Sequence, residues 1–225
     1  NILADIRKKD IVKPRISKHM AKITDLGILK QLINEIYNYN GNHNIKNALK
    51  LVLHIPLRAE NLCNLKWNQI DFEKKILTIP RENMKLSNIN LDDFVMPLTD
   101  EVINILNEHK DMQFFSSKSK EYVFLGFNNS KPINKESPNR ALFRLGFNDE
   151  KKGTKIRLHG FRGTFRSLID TLDTKNIFSF EVKERALDHH DKNLVARSYN
   201  HKANYHEQMI ELMKFWSKFI CSLKT

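Results

Sequence analysis

The segment 187–201, LDHHDKNLVARSYNH, holds the densest group of chemically capable side chains in the sequence. It contains adjacent His189 and His190, then Tyr199 and His201, and could bind a metal, end a helix in solvent, or present a tyrosine nucleophile. Adjacent helical residues point about 100° apart, so the two histidines cannot easily share an ion. No HExxH motif occurs, and no nearby cysteine completes a tetrahedral site. The sequence therefore predicts neither a metal nor a cofactor.

His159 and Arg162 lie three residues apart in the segment LHGFR. If that segment is helical, the two side chains share one face. An imidazole and a guanidinium in this arrangement could bind one phosphate, because the planar arginine fork matches two phosphate oxygens. A surface pair at a helix start would show the same spacing, so the motif alone does not decide between the two.

Arg58 in PLRAENL and Lys85 in IPRENMKLSN are two further cations of ambiguous role. Arg58 is predicted at a helix start, where it could pair with Glu60 or face an anion near the helix N-terminus. Taken alone, the ion pair is the simpler interpretation. Lys85 lies between two strand-like runs, where most lysines are solvated, but a flexible lysine can also donate a proton to a leaving oxygen.

Hydrophobic periodicity predicts a helix-rich scaffold for these residues. Apolar residues at helical spacing indicate helices over 26–39, 45–55, 57–65, 101–110, 134–147, 158–172, 180–190 and 203–222. Three short runs, IDF, ILTIP and FVMPL, indicate strands separated by polar turns. The predicted fold class is mainly α with a small three-stranded antiparallel β-sheet.

The charge balance indicates a polyanionic partner. The chain has 38 Lys and Arg against 26 Asp and Glu, a formal net charge of +12, and nucleic acid is the first candidate for such a surface. Cys63 and Cys221 form no CxxC motif, which suits a reducing compartment. No apolar run approaches the ~20 residues that span a bilayer. We therefore expect a cytoplasmic protein with no membrane partner.

Together, the order of these residues is more specific than any one of them. An arginine, a turn lysine, an HxxR motif and a histidine ten residues before a tyrosine resemble the tyrosine recombinases (phage-type integrases), most closely those of satellite phages and genomic islands. The matching stretches are LRAENLCNLKW, IPRENMK…VMPLT, LHGFRGTFRSLID and ALDHHDKNLVARSYNH. The resemblance implies that family's catalytic fold, with a catalytic domain over 19–225 and a linker over 1–18 from a missing N-terminal DNA-binding portion.

The resemblance also implies an activity and a set of catalytic residues. The expected enzyme is a bacterial or phage-encoded site-specific recombinase that integrates or excises a mobile element through a covalent 3′-phosphotyrosine. Its expected partners are double-stranded DNA attachment sites, a synaptic tetramer of its own copies, and accessory DNA-bending proteins. The implied catalytic residues are Arg58, Lys85, His159, Arg162, His189 and the nucleophile Tyr199.

Each implied residue type suits a step of that chemistry. The arginines would stabilise charge in the transition state, and Lys85 would protonate the departing 5′ oxygen. His159 would relay or accept a proton, and His189 would hydrogen-bond a non-bridging oxygen. A C-terminal helix over 203–222 would close its own core or, as the family suggests, dock on a neighbouring protomer.

Three departures from the family pattern and two alternative functions remain. Pro56 stands where the family usually has glycine, just before the first arginine block. Asn61 stands where the family usually has an acid, so we expect Arg58 to stay in place with weaker charge support. Asp188 stands where the family often has glycine or alanine, and would tune His189 or face solvent. The alternatives are a type IB topoisomerase-like enzyme, which generally carries lysine in place of His159, and a non-catalytic, decayed DNA-binding module.

Overall fold

The structure is a computed structural model that describes residues 20–85, 87, 91–116, 121–189 and 205–225. The predicted linker over 1–18 lies outside these residues, as do His190 and Tyr199. Within the described residues the chain forms eight α-helices: α1 Leu26–Tyr37, α2 His43–His54, α3 Ala59–Cys63, α4 Asp100–Ser116, α5 Glu136–Arg144, α6 Gly160–Leu172, α7 Phe180–Arg185 and α8 His206–Ser222.

Three short strands form one antiparallel sheet in the order β1–β2–β3. In its register Leu77 pairs with Ile70 on one side and with Met96 on the other, and all three side chains are buried. The strands are β1 Ile70–Asp71, β2 Ile76–Ile79 and β3 Phe94–Pro97. The predicted fold class, mainly α with a small three-stranded antiparallel sheet, is confirmed.

The first two helices begin at the polar residues that precede them. The Asp25 carboxylate accepts a hydrogen bond from the Ile28 amide at 2.9 Å, and the Asn42 side chain accepts one from the Asn44 amide at 2.9 Å. These bonds satisfy backbone donors that have no partner within the helix. The apolar faces of both helices then join one hydrophobic core with the sheet and with α8.

The C-terminal helix α8 packs against the core of its own chain. The indole N–H of Trp216 donates to the Leu53 carbonyl at 2.8 Å, and the Trp216 ring meets the Phe165 ring edge-on with centroids 5.2 Å apart. Burying one aromatic side chain with its polar atom satisfied contributes on the order of 2 kcal/mol. In this structure the helix therefore closes its own core, the first of the two predicted arrangements.

Helix α7 ends at Arg185, so the prediction of a helix over 180–190 is wrong in its length. Asp188 has a left-handed backbone with φ of 51°, which stops helical propagation. The Asp188 amide donates to the Arg185 carbonyl at 2.9 Å, and the His189 amide donates to the Glu184 carbonyl at 3.0 Å. This turn directs residues 188 and 189 away from the helix axis.

Helix α4 is longer than the prediction of 101–110. Its added turns include Gln113, whose side chain accepts from the Trp67 indole at 2.7 Å and donates to the Tyr122 carbonyl at 3.0 Å. These tertiary contacts stabilise turns that local periodicity does not indicate. No helix in the described residues has the length and apolar character needed to cross a membrane.

Candidate active site

Arg58 lies at the N-terminal boundary of α3 with its side chain 15% exposed. One terminal nitrogen donates to Oδ2 of Asp188 at 2.5 Å, and the other donates to the Asp188 backbone carbonyl at 3.2 Å. Glu60 points outward and pairs with Lys135 at 3.5 Å. The ion pair with Glu60, the simpler of the two interpretations of Arg58 taken alone, is therefore not formed, and the carboxylate that binds Arg58 lies 130 residues away in sequence.

Asp188 is buried, with 2% of its side chain exposed, so the second of its two predicted roles, facing solvent, is wrong. Its second carboxylate oxygen, Oδ1, accepts from a terminal nitrogen of Arg81 at 2.8 Å. Arg81 is also buried, and its Nε donates to the Asp92 carbonyl at 2.7 Å. One carboxylate thus holds two guanidiniums, Arg58 and Arg81. We call Arg58, Arg81, Arg162 and Asp188 the arginine cluster.

Arg162 lies in the first turn of α6 and is 6% exposed. Its terminal nitrogens donate to the Pro56 carbonyl at 2.8 Å and to the Leu187 carbonyl at 2.5 Å. The second of these nitrogens also lies 3.2 Å from Nε2 of His189. Two backbone carbonyls therefore fix the plane of this guanidinium between the residues before α3 and the turn after α7.

The charges around Arg162 act in opposite directions on its pKa. Burial and the nearby positive charge of Arg58 lower the pKa to about 10, while Asp188 and Glu184 act to raise it. Arg162 therefore stays positively charged at neutral pH, as arginines in proteins do. The cluster keeps more positive than negative charge, which suits an anionic ligand.

His189 is half-exposed and lies at the end of a chain of hydrogen bonds. Its Nδ1 lies 2.8 Å from a carboxylate oxygen of Glu184, so Nδ1 carries the proton in the neutral ring and Nε2 accepts from Arg162. The other Glu184 oxygen accepts from Nε of Arg166 at 2.6 Å. Partial burial acts to raise the pKa of Glu184, but the bonds from Arg166 and His189 outweigh it and the pKa is lowered.

His159 precedes the first residue of α6 and is exposed. Partial burial lowers its pKa, and so does the positive charge of the neighbouring Arg162, Lys85, Arg58 and His189. Contacts also join four of these residues: the Arg162 amide donates to the His159 carbonyl, Arg162 lies 3.2 Å from His189, and Arg58 binds the residue before His189. The structure thus brings Arg58, His159, Arg162 and His189 together, and the charge of Lys85 also acts on His159.

Lys85 is exposed and follows the 3₁₀-helix Arg81–Asn83. Asn61 in α3 donates from its side chain to the Asn83 carbonyl at 3.0 Å, so it links α3 to the segment that leads to Lys85. Arg58 is held in place as expected, and its charge support comes from Asp188.

Sequence reasoning missed the contributions of Arg81 and Glu184. Arg81 was available in IPRENMK, but its partner Asp188 lies 107 residues later, and no local pattern indicates that pairing. Glu184 lies five residues before His189, a spacing that a continuous helix does not place on one face. The end of α7 at Arg185 creates the contact.

The predicted nucleophile Tyr199 lies outside the described residues, and so does His190, the neighbour of His189. Other tyrosines have structural partners. The Tyr37 hydroxyl donates to Glu101 at 3.1 Å, and burial and this carboxylate raise the pKa of the phenol. The Tyr205 ring, at the start of α8, lies under the guanidinium of Arg185 at 4.3 Å.

A second polar cluster lies between α1, α2, α4 and α8. Nε2 of His54 lies 3.0 Å from the Tyr37 hydroxyl, and its Nδ1 lies 2.8 Å from the Ser217 hydroxyl. We call Tyr37, His54, Glu101 and Ser217 the histidine cluster. In the part of the chain that the structure describes, one group of side chains has metal-ligand spacing, and it overlaps this cluster: His54, Glu101 and Cys221. Both ring nitrogens of His54 are already bonded within the protein.

Comparisons of the sequence with known proteins agree on one family. Residues 28–206 match the phage integrase family. The integrase of enterobacteria phage P4 is 25% identical over 191 residues, which are 81% of this chain and 41% of that protein. The integrase of Shigella phage Sf6 is 28% identical over 174 residues, 77% of this chain and 41% of that protein. The chain therefore spans less than half the length of these relatives.

Solved structures share the fold. The XerA recombinase superposes with a TM-score of 0.56 at 16% identity, covering 96% of this chain and 70% of that one. The Tn1549 transposon integrase in complex with transposon right end DNA superposes with a TM-score of 0.58 at 14% identity, covering 92% of this chain and 69% of that one. At these identities the likeness concerns the fold.

Proposed function

Because this chain belongs to the phage integrase family, we propose that it is the catalytic part of a site-specific recombinase that cuts and rejoins double-stranded DNA. Tyr199 would form a covalent 3′-phosphotyrosine, and the reaction would integrate or excise a mobile element. The observation that carries this proposal is that Asp188 binds Arg58 at 2.5 Å while Arg162 lies 3.2 Å from His189, so the turn after α7 joins these residues at one surface region. Buried guanidiniums there adjoin exposed groups that can transfer protons.

Arg58 and Arg162 are suited to bind the scissile phosphate. Attack on a phosphodiester adds negative charge to its oxygens, and fixed positive groups stabilise that charge without reorganising. Arg162 is fixed by the Pro56 and Leu187 carbonyls, and Arg58 by Asp188. Each guanidinium has five N–H donors, so both retain donors for a phosphate.

The exposed residues are suited to move protons during the exchange. The lowered pKa of His159 keeps its imidazole neutral at pH 7, so it can accept the proton of the Tyr199 phenol, whose ordinary pKa is ~10. The phenolate oxygen bonds to phosphorus as the bond to the 5′ oxygen breaks, and Lys85 gives that oxygen a proton. His189 would hydrogen-bond a non-bridging oxygen, which requires a proton on Nε2 in place of the bond that Nε2 accepts from Arg162 in this structure. The energy of the broken ester bond is kept in the new phosphotyrosine ester, so rejoining needs no ATP.

The proposed partners follow from the same chemistry. The Tn1549 integrase neighbour was solved with DNA, and a chain with a net charge of +12 is suited to bind the same polymer. Recombination joins two duplexes, so we propose a synaptic tetramer of integrase copies, with accessory DNA-bending proteins at the attachment sites. DNA affinity is then expected to fall steeply as salt rises, because phosphate contacts release counterions.

The test is to trap the covalent intermediate. Wild-type chain, Tyr199→Phe and Tyr205→Phe are incubated with a nicked suicide duplex of an attachment site and separated on a denaturing gel. We expect covalent DNA with wild type and Tyr205→Phe, and none with Tyr199→Phe. Equal trapping by Tyr199→Phe would overturn the assignment of the nucleophile. Binding without trapping by any variant would favour the non-catalytic module, and relaxation of supercoiled plasmids without an attachment site would favour a topoisomerase.

A further inference from the structure

The turn after α7 places one buried carboxylate between two arginines that come from distant parts of the chain. Asp188 has 2% of its side chain exposed and a φ of 51°. Its Oδ2 lies 2.5 Å from Arg58 and its Oδ1 lies 2.8 Å from Arg81. Its backbone carbonyl also accepts from Arg58 at 3.2 Å, so this residue binds that guanidinium twice.

The two arginines differ in what they can reach. Arg58 is partly exposed and keeps N–H donors beyond the two that bind Asp188. Arg81 is buried, its Nε binds the Asp92 carbonyl at 2.7 Å, and its backbone amide donates to the Asp93 carboxylate at 2.8 Å. Arg81 is therefore placed as an internal partner of Asp188, whereas Arg58 is placed to reach a ligand.

The charge of Asp188 is also required by its surroundings. Arg58, Arg81 and Arg162 bring three positive charges into a mostly buried region, where unpaired charges are strongly destabilising. One carboxylate among three guanidiniums reduces their mutual repulsion and still leaves the cluster positive. A neutral residue at position 188 would leave Arg58 and Arg81 without this partner.

We propose that Asp188 is a positioning residue of the active site: it orients Arg58 toward the phosphate and, through Arg81, ties the segment that leads to Lys85 to the turn that carries His189. This inference rests on the proposed function, because it assigns Arg58 and Lys85 to the reaction. The Asp188 side chain would thus align three parts of the proposed site: Arg58, the segment that leads to Lys85, and the turn that carries His189. Arg81 acts through Asp188 and does not touch DNA.

The test is a double-mutant cycle with Asp188→Asn, Arg81→Gln and the combined variant. Asparagine keeps the shape of the side chain and tolerates a positive φ. At saturating suicide duplex, we expect Asp188→Asn to slow covalent-complex formation about 10- to 100-fold, while the dissociation constant for DNA changes less than about threefold. Arg81→Gln is expected to slow it about tenfold, and the combined variant to be no slower than Asp188→Asn, because both remove one link.

The matched control is Asp100→Asn, an exposed carboxylate that pairs with Lys75 at 2.6 Å. An exposed pair contributes little, so this variant is expected to react at the wild-type rate. The same three variants are also compared without DNA by their urea unfolding midpoints. We expect the effects of the changes at positions 81 and 188 on these midpoints to be non-additive. If wild type forms no covalent complex, the proposed function fails, and the unfolding cycle still tests the link.

Two results would overturn the inference. The first is an Asp188→Asn variant that reacts at the wild-type rate while wild type is active. The second is that the effects of Arg81→Gln and Asp188→Asn are additive both on the reaction rate and on the unfolding midpoint. If Asp188→Asn does not fold, Arg81→Gln probes the same link from its other end, and wild-type kinetics in that variant would equally contradict the proposal.

Discussion

Two polar clusters in this chain use similar chemical groups but hold them in different ways. In the arginine cluster, the carboxylate of Asp188 binds two guanidiniums, those of Arg58 and Arg81, and the neighbouring His159 and Lys85 are exposed. In the histidine cluster, His54 is fully buried between Tyr37 and Ser217, and both of its ring nitrogens are bonded. A histidine and an acid lie together in the second cluster as well, with Tyr37 between them, yet its groups satisfy one another.

The difference lies in charge balance and exposure. Burial lowers the pKa of His54 to about 4, so its ring is neutral at physiological pH, and Glu101 is balanced by Lys224 at 3.0 Å. The arginine cluster is left with excess positive charge next to proton-transfer groups at the surface. Residue types alone do not separate a catalytic cluster from a structural one, and unbalanced charge near solvent is the feature by which we propose the arginine cluster as the catalytic one.

The largest expected effect comes from Arg162→Lys. Lysine is a point charge and cannot bind the Pro56 carbonyl, the Leu187 carbonyl and a phosphate in the geometry of a planar fork. We expect covalent-complex formation to slow by about 100- to 1,000-fold, the size of effect seen when one transition-state donor is removed. The measurement is a single-turnover rate at saturating suicide duplex, with the melting temperature as a check on folding.

Ser217→Ala is the matching change in the histidine cluster. It removes a partner of His54 and is expected to destabilise the fold by about 1 kcal/mol while leaving the single-turnover rate unchanged. A Ser217→Ala variant that folds but reacts as slowly as Arg162→Lys would break the distinction between the two clusters.

The next prediction concerns acid stability, which the histidine cluster should govern. His54 has a pKa of about 4 when folded and ~6.5 in an unfolded chain, so between these values the unfolded state binds a proton that the folded state does not. The free energy of unfolding is therefore highest above pH ~6.5 and falls as the pH drops toward 4, by up to about 3 kcal/mol from this residue. Urea titrations between pH 7 and 4.5 measure this loss.

His54→Gln should flatten part of that dependence. His109 has a pKa also lowered to about 4 by burial, so it contributes a similar slope that the variant retains. Among the groups facing His54, the negative charge of Glu101 opposes the shift and the positive charge of Lys224 adds to it. If the stability of His54→Gln has the same pH dependence as that of wild type, the histidine cluster does not disfavour protonation of His54.

The fold was largely predictable from local pattern. Apolar spacing identified α1 from Leu29, Leu32, Ile33 and Ile36, all of which are buried, and the three strand-like runs form the observed sheet. The predicted end of α7 was wrong because the helix stops through a left-handed Asp188 that pairs with two distant arginines. The periodicity of apolar residues predicts which face of a helix is buried, but it does not predict a contact with a residue 130 positions away.

The order of the motifs indicated Arg58, Lys85, His159, Arg162 and His189 as site residues. The structure places four of them near one another through Asp188 and the contact between Arg162 and His189, and the charge of Lys85 acts on His159. The buried arginine that binds Asp188 and the carboxylate that binds His189 were not indicated, because each depends on how separate elements pack. The roles of all six predicted residues, with Tyr199 outside the described part of the chain, stay predictions that the trapping experiments test.

The smallest expected effect tests how the arginine cluster connects to its exposed histidine. Glu184→Gln keeps an acceptor for Nδ1 of His189 but removes the negative charge, so we expect covalent-complex formation to slow about three- to tenfold. Because the pKa of Glu184 is lowered by folding, the wild-type carboxylate stabilises the fold above pH ~4.5, and this contribution is lost as the pH falls below it. The variant should therefore be less stable than wild type at pH 7, and the difference should shrink as the pH falls through the lowered pKa of Glu184 in the folded state.

The matched control for this change is Asp170→Asn, because Asp170 also pairs with Arg166 but does not contact His189 in the hydrogen bonds of the described chain. We expect Asp170→Asn to react at the wild-type rate. If Asp170→Asn slows the reaction as much as Glu184→Gln, the effect acts through the position of Arg166, and His189 does not depend on the charge of Glu184. If only Glu184→Gln is slow, the charge of the Glu184 carboxylate acts directly on the His189 imidazole. The distinction between guanidiniums fixed by their partners and an exposed histidine that depends on a neighbouring carboxylate then holds.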